Sequence, residues 1–216
     1  MPEGLVETAA QVEAPEERRF YGVAIAQVIN NIDLMGQARV QVRLPWLSFT
    51  PWARVALPMA GMNRGTYFIP MIGDEVLVAF NQGDVRDAYV VGSLWNAQDR
   101  PPAVAPTDSL NKRLIRTPLG HELEFDDLKQ SITVTTTTRQ KIKMTPEKIE
   151  IQAAEGTASV ILDTEGNVSI KATERISLEA PTLYLKGNNI TIEAGQVVGI
   201  RGGRLCDVQA NVVKIN

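Results

Sequence analysis

One cysteine, Cys206, is all the chain contains, so no intrachain disulfide can form. Secreted monomers of this size more often carry disulfides, so the lone thiol favours assembly in a reducing compartment. The apolar core of a signal peptide is missing from residues 1–19, which instead carry Glu3, Glu7, Glu13, Glu16 and Glu17. No run approaches the roughly 18 apolar residues that a spanning helix needs. Positive charge is not in excess: 22 Lys and Arg stand against 25 Asp and Glu, a net charge of −3. A chain so balanced is not built to neutralise phosphates. Helical periodicity is nearly absent. What remains is 44% hydrophobic and 22% charged over 216 residues, the composition of a folded protein with one large domain or two small ones.

Short β-branched runs separated by Gly, Pro and Asn read as all-β. Residues 20–96 hold longer alternating segments, with strands expected at Tyr21–Ile29, Gln37–Leu44, Trp52–Leu57, Glu75–Phe80 and Ala88–Leu94. From Ala38 to Leu44 every second residue is apolar, so one face is buried and the other wet. Gln82-Gly83-Asp84 reads as a turn between two strands. About five strands with one apolar face each fit a small closed barrel of the OB type. Residues 97–111, with three prolines and little apolar mass, read as a semi-rigid linker.

The last part, residues 130–216, carries apolar pairs at i and i+2: Ile149/Ile151, Val160/Leu162, Val168/Ile170, Ile176/Leu178, Leu183/Leu185, Ile190/Ile192, Val198/Ile200, Cys206/Val208 and Val213/Ile215. Successive pairs start 11, 8, 8, 7, 7, 8, 8 and 7 residues apart. Residues i and i+2 of a strand face the same way, so each pair is the inward face of one short strand. A period of 7–8 is too short for one turn of a single-chain β-helix, which needs roughly 18 residues from strand and turn lengths. It suits one face of a triangular prism to which three chains each supply a strand per layer. The expected fold is therefore an N-terminal OB barrel followed by a C-terminal triple-stranded β-helix formed by a homotrimer. The expected trimer core is Val168, Ile170, Ile176, Leu178, Leu183, Leu185, Ile190, Ile192, Val198 and Ile200.

Motifs in order strengthen this reading. They are Gly36 to Pro45 (GQARVQVRLP), Trp52-Ala53-Arg54-Val55, Pro58-Met59-Ala60-Gly61 and Pro70 to Phe80 (PMIGDEVLVAF). Gly83-Asp84 and Val90 to Asn96 (VVGSLWN) follow, then Asn111 to His121 and Leu123 to Asp127. Together they resemble the baseplate spike proteins of contractile-tailed phages, R-type pyocins and extracellular contractile injection systems, and the spike portion of type VI secretion VgrG proteins. The resemblance runs from about residue 20 to 216. It implies a flexible arm (1–19), the OB domain (20–96), the linker (97–111), a neck (112–129) and the needle (130–216). It further implies a structural spike that pierces the target envelope when the sheath contracts, assembled in the bacterial cytoplasm and placed at the baseplate tip of a phage tail-like particle. Implied partners are two further copies, a separate hub protein at the end of the tail tube, a small PAAR-type tip protein and, during injection, the target membrane. No lysozyme-like domain interrupts the linker. The His-x-His iron site that ends some phage spikes cannot exist with His121 as the single histidine. At the end of the chain, Val213, Ile215 and Asn216 are the expected docking surface for the tip protein.

Catalytic, cofactor and metal residues are expected to be none, and the protein is expected not to be an enzyme. Gly73-Asp74-Glu75 and Asp126-Asp127 read as turns beside strands, without the raised-pKa partner of acid–base catalysis. His121-Glu122 lacks the second histidine of a zinc helix. Cys206, at an inward position, reads as a small buried hydrophobe. Two other classes stay in play: a carbohydrate-active β-helix enzyme, and an OB-fold nucleic-acid-binding protein. Against the second, residues 20–96 hold five Arg, no Lys and five acids, so the barrel lacks the positive groove single strands require. Against the first, acids in 130–216 are dispersed and matched by bases.

Overall fold

The computed structural model describes residues 19–214. The expected tip residues Ile215 and Asn216, and all but the last residue of the expected arm, lie outside them. Strands β1 (Val23–Asn30), β2 (Arg39–Arg43) and β3 (Trp52–Val55) are followed by β4 (Ala60–Gly61) and β5 (Arg64–Gly65). Then come β6 (Glu75–Asn81) and β7 (Asp84–Leu94). β1, β2, β3, β7 and β6 close into a barrel in that order. All its neighbours are antiparallel except β3 and β7, which run parallel with Ala53 opposite Ala88 and Val55 opposite Val90. Alternation decides which side chains enter: Ala24, Ala26 and Val28 from β1 meet Val40, Val42, Ala53, Val76, Val78, Ala88 and Val90, all buried. Small and branched residues dominate because a five-stranded barrel has a narrow interior.

Turn chemistry closes the hairpins. Gln82 and Gly83 both have positive φ, 49° and 82°, the backbone of a tight hairpin turn whose twist matches the strands. A Cβ on Gly83 would also sit 3.0 Å from the Cβ of Arg19. At this end Phe20, Trp46 and Phe80 plug the barrel, Phe20 stacking on Trp46 at 5.0 Å and meeting Phe80 edge-on at 5.6 Å. β4 and β5, two residues each, were not expected; so short a pair carries no readable alternation.

Past the barrel, the proline-rich stretch is not wholly irregular: it ends in a one-turn helix, α1 (Asp108–Asn111). β8 (Lys112–Arg116), β9 (Glu122–Asp126), β10 (Ser131–Thr135), β11 (Lys141–Met144), β12 (Lys148–Gln152), β13 (Ala158–Asp163) and β14 (Val168–Ala172) follow. They form one seven-stranded sheet, each strand antiparallel to its neighbour in sequence. The pairs Ile149/Ile151, Val160/Leu162 and Val168/Ile170 thus lie in hairpin-connected strands of five or six residues. They do not lie in three-residue strands that turn a corner after each pair. The physical reason is local: Asp163 and Gly166 make a tight turn, with Asn167 N–H donating to Asp163 Oδ1 at 2.8 Å, and the chain folds straight back. Residues 173–214 contain no strand in the single chain.

Candidate assembly interface

Directly opposed residues in adjacent strands point to the same face of a sheet, so the register assigns every side chain of the seven strands. One column runs Ile115, Leu123, Val134, Ile142, Ile151, Val160, Ile170. Beside it runs Phe125, Ile132, Met144, Ile149, Leu162, Val168. Two uninterrupted apolar columns thus occupy one face. The opposite face is mainly polar and charged, with Leu114 and Ile161 its large apolar residues. There Lys112 bridges Asp108 at 3.2 Å and Glu124 at 3.6 Å, Arg116 pairs with Glu122, and Lys148 meets Glu150 at 3.1 Å. The Asp108 hydrogen bond, with Glu124 second, holds the Lys112 ammonium above its ordinary pKa.

Burial along these strands is inverted. Ile142, Met144, Ile149 and Ile151 are exposed, while Lys141, Lys143, Lys148 and Glu150 between them are half-buried. A sheet that folded alone would hide its apolar face. An apolar groove of about 560 Å³ runs over this face, where Ile142, Ile151, Val160 and Ile170 meet Ile176 from the segment that follows β14. That groove brings together Ile170 and Ile176 of the expected core. Of the rest, Val168 lies on β14 beside Ile170, and the seven residues from Leu178 to Ile200 follow in the strandless segment. All ten residues are 49–70% exposed in the single chain. Val213 is also exposed, as is Cys206.

Two family models match. Residues 24–95 match the type VI secretion system/phage-baseplate injector OB domain, and residues 112–216 match the phage baseplate V C-terminal trimerisation domain. The chain belongs to the phage baseplate V family. The matched trimerisation domain makes the protein a homotrimer, and the apolar sheet face lies wholly within that domain. Similar proteins include the type VI secretion system spike protein VgrG3 of Vibrio cholerae, 33% identical over 101 residues. VgrG2a of Pseudomonas aeruginosa is 33% identical over 100 residues, and the actin cross-linking toxin VgrG1 of Vibrio cholerae 32% over 101. Each alignment covers 41% of this chain but only 9–12% of the relative, so the chain corresponds to a small part of those proteins.

The residues weighed above as chemical candidates have structural duties. Asp74 accepts the Met71 N–H at 2.8 Å and so ties a turn together. Asp126, buried at the end of β9, is clasped by Lys129, whose Nζ lies 2.8 Å away. That ammonium, helped by the Lys129 backbone N–H, keeps the carboxyl below its ordinary range. His121 faces Thr137, its Nδ1 3.4 Å from the Thr137 N–H. Among the described residues, no three His, Cys, Asp or Glu side chains gather as metal ligands would. Sequence reasoning missed Asp33, whose side chain is only 4% exposed. It accepts the backbone N–H groups of Met35, Gln37 and Arg39 and a two-point bond from the Arg39 guanidinium, at 3.0 and 2.9 Å. The signal was available: an Asp followed by Gly36 in a loop between two alternating strands.

Proposed function

We propose that three copies of this chain form the central spike of a contractile tail or injection machine, a mechanical part and not an enzyme. The observation that carries this reading is the inverted burial of the C-terminal sheet: a two-column apolar face left in solvent by a single chain, within the trimerisation domain. Three such faces turned inward bury one another. Each Val, Ile or Leu so covered contributes about 1.5–3 kcal/mol. Residues 173–214 then find in the other two copies the strand partners they lack alone, and Val168, Ile170, Ile176, Leu178, Leu183, Leu185, Ile190, Ile192, Val198 and Ile200 line the axis of a triangular prism. Closing every edge laterally yields a stiff rod.

In the working particle the barrels seat on a hub protein at the end of the tail tube. The needle points at the target envelope, and sheath contraction supplies the force. Assembly takes place in the bacterial cytoplasm and the product sits at the baseplate tip of a phage tail-like particle. A small PAAR-type tip protein caps the needle at Val213, Ile215 and Asn216.

Light scattering on the purified chain tests the assembly and should report three times 23.7 kDa; a compact monomer sinks the reading. Incubation with peptidoglycan and with polysaccharides should release no product, and reproducible turnover would show an enzyme instead. Removing residues 212–216 should leave the trimer intact and abolish co-purification with the tip protein. If the truncated needle still holds the cap, the docking site lies elsewhere.

A further inference from the structure

The outer wall of the barrel is not evenly charged. Val40, Val42 and Ala53 point into the core, so Arg39, Arg43, Trp52 and Arg54 stand on the outside of β2 and β3, with Tyr89 beside them on β7. Three of the five arginines in residues 20–96 thus share one wall. The register sets Arg39 directly opposite Arg54, and Arg54 opposite Tyr89. Like charges so opposed destabilise a sheet unless carboxylates answer them. Asp33 answers Arg39 with its two-point bond. Among the described residues Arg54 has only Asp87, 3.8 Å away, whose other oxygen accepts from Asn81 and Tyr89. Arg43 donates to the Gln27 amide oxygen and, among the described residues, meets no carboxylate within ion-pair distance. The Arg54 guanidinium lies over the Tyr89 ring, 4.3 Å from its centroid, with its side chain 58% exposed. Stacking positions the guanidinium in advance, and its N–H fork matches a carboxylate.

The point where the chain joins the barrel selects the occupant. Arg19 lines a cleft with Asp87, the neighbour of Arg54, and the Phe20 N–H donates to Gly83 O at 2.9 Å. Residues 1–18 therefore attach close to this wall, and they carry Glu3, Glu7, Glu13, Glu16 and Glu17 against Arg18 alone. A stretch of that length reaches roughly 60 Å when extended, well beyond the width of three strands spaced about 4.8 Å apart. We infer that residues 1–18 lie across β7, β3 and β2 of their own barrel, with their glutamates paired to Arg54 and Arg43. Charge complementarity and the point of attachment favour this occupant over an outside anion, since a tethered carboxylate is present at an effective concentration on the order of millimolar. The arm neutralises the wall and closes it to other anionic partners. The contact needs one chain only, so it stands or falls apart from the trimeric reading.

Residues 20–96 contain no lysine, so an amine can be introduced into the barrel without competition. Arg54→Lys and Arg43→Lys each keep the charge and add one amine on the wall; Arg64→Lys, on β5, adds one elsewhere as a control. A zero-length carbodiimide reagent joins a carboxylate to an amine only where the two touch. Applied to the intact protein, it should link residues between 3 and 17 to position 54 or 43, in product that runs as a single chain on a denaturing gel. The yield should fall several-fold in about 1 M salt, where the Debye length is about 3 Å. The Arg64→Lys protein should give no such link. Absence of arm links at 43 and 54, with both amines still open to an amine-reactive label, overturns the proposal. So do a yield indifferent to salt and arm links at 64 as abundant as those at 54. Links found only in covalent dimers show the arm of a neighbouring copy and overturn the same-chain contact.

Discussion

At the residue scale, single side chains hold the barrel's shape. Leu44 follows β2 and is buried to the last few atoms among Val28, Val76 and the aromatic plug's neighbours in one core cluster. Leu44→Ala should therefore destabilise the barrel by about 2–5 kcal/mol, read from denaturant unfolding. Asp33 acts through charge instead. The Arg39 guanidinium, and then the three backbone N–H groups, hold its carboxyl well below the usual carboxylate range. A carboxyl whose folded pKa is depressed adds stability above its unfolded value of about 3.9, and that contribution is lost as pH falls through the folded value. Asp126, beside Lys129, and Asp163, held by Asn167, are lowered in the same direction. The melting temperature should hold from pH 7 to about pH 5 and fall below about pH 4. Asp33→Asn should lower the plateau and flatten the acid slope; an unchanged slope would remove Asp33 from the account. Gly73-Asp74 and Gln82-Gly83 were readable as turns because their residue types admit few other backbones. Asp33 was readable only as a loop Asp ahead of Gly36; that three backbone N–H groups and Arg39 converge on it is something spacing alone does not state.

At the element scale, the decisive feature is a face. On β14, Ile170 lies in the apolar column opposite Val160, and Ser169 lies on the other face opposite Ile161. Ile170→Asp would bring three carboxylates into an apolar interior, each costing several kcal/mol, and should abolish the trimer. Ser169→Asp, one residue away, should leave the mass of the assembly unchanged. The same contrast applies to Ile190→Asp and Thr191→Asp in the strandless segment. If both members of either couple behave alike in light scattering, the register is wrong there. The alternation along β1, β2 and β6 was legible from the sequence because those strands bury one face within their own chain. The hairpin order of β11 to β14 was not, since apolar pairs at i and i+2 suit a strand that doubles back as well as one that moves to a new face.

For the whole molecule, the barrel should fold within one chain while the C-terminal segment should order only on assembly. Residues 173–214 have no strand partners in the single chain, and the apolar columns of β8–β14 stand in solvent. In the trimer, backbone amides from Ile176 to Ile200 should exchange hydrogen slowly. In a variant that stays monomeric, such as Ile170→Asp, they should exchange at nearly free rates while the barrel core around Val40 and Val78 stays protected. Rapid exchange throughout 176–200 in the trimer would contradict the prism.

Alone, the sequence determined an all-β chain, the alternation that fills the barrel, its turns, and a surplus of apolar residues that one copy cannot bury. These follow from local rules: side chains alternate along a strand, and Gly, Asn and Asp admit turn backbones. Tertiary structure decided what depends on distant partners. It set the parallel pairing of β3 with β7 that closes the barrel, the hairpin stacking of β8–β14, and the convergence of three backbone N–H groups and Arg39 on Asp33. Such choices are settled by which surfaces meet across tens of residues, and a linear pattern of apolar and polar positions is the same before and after they meet.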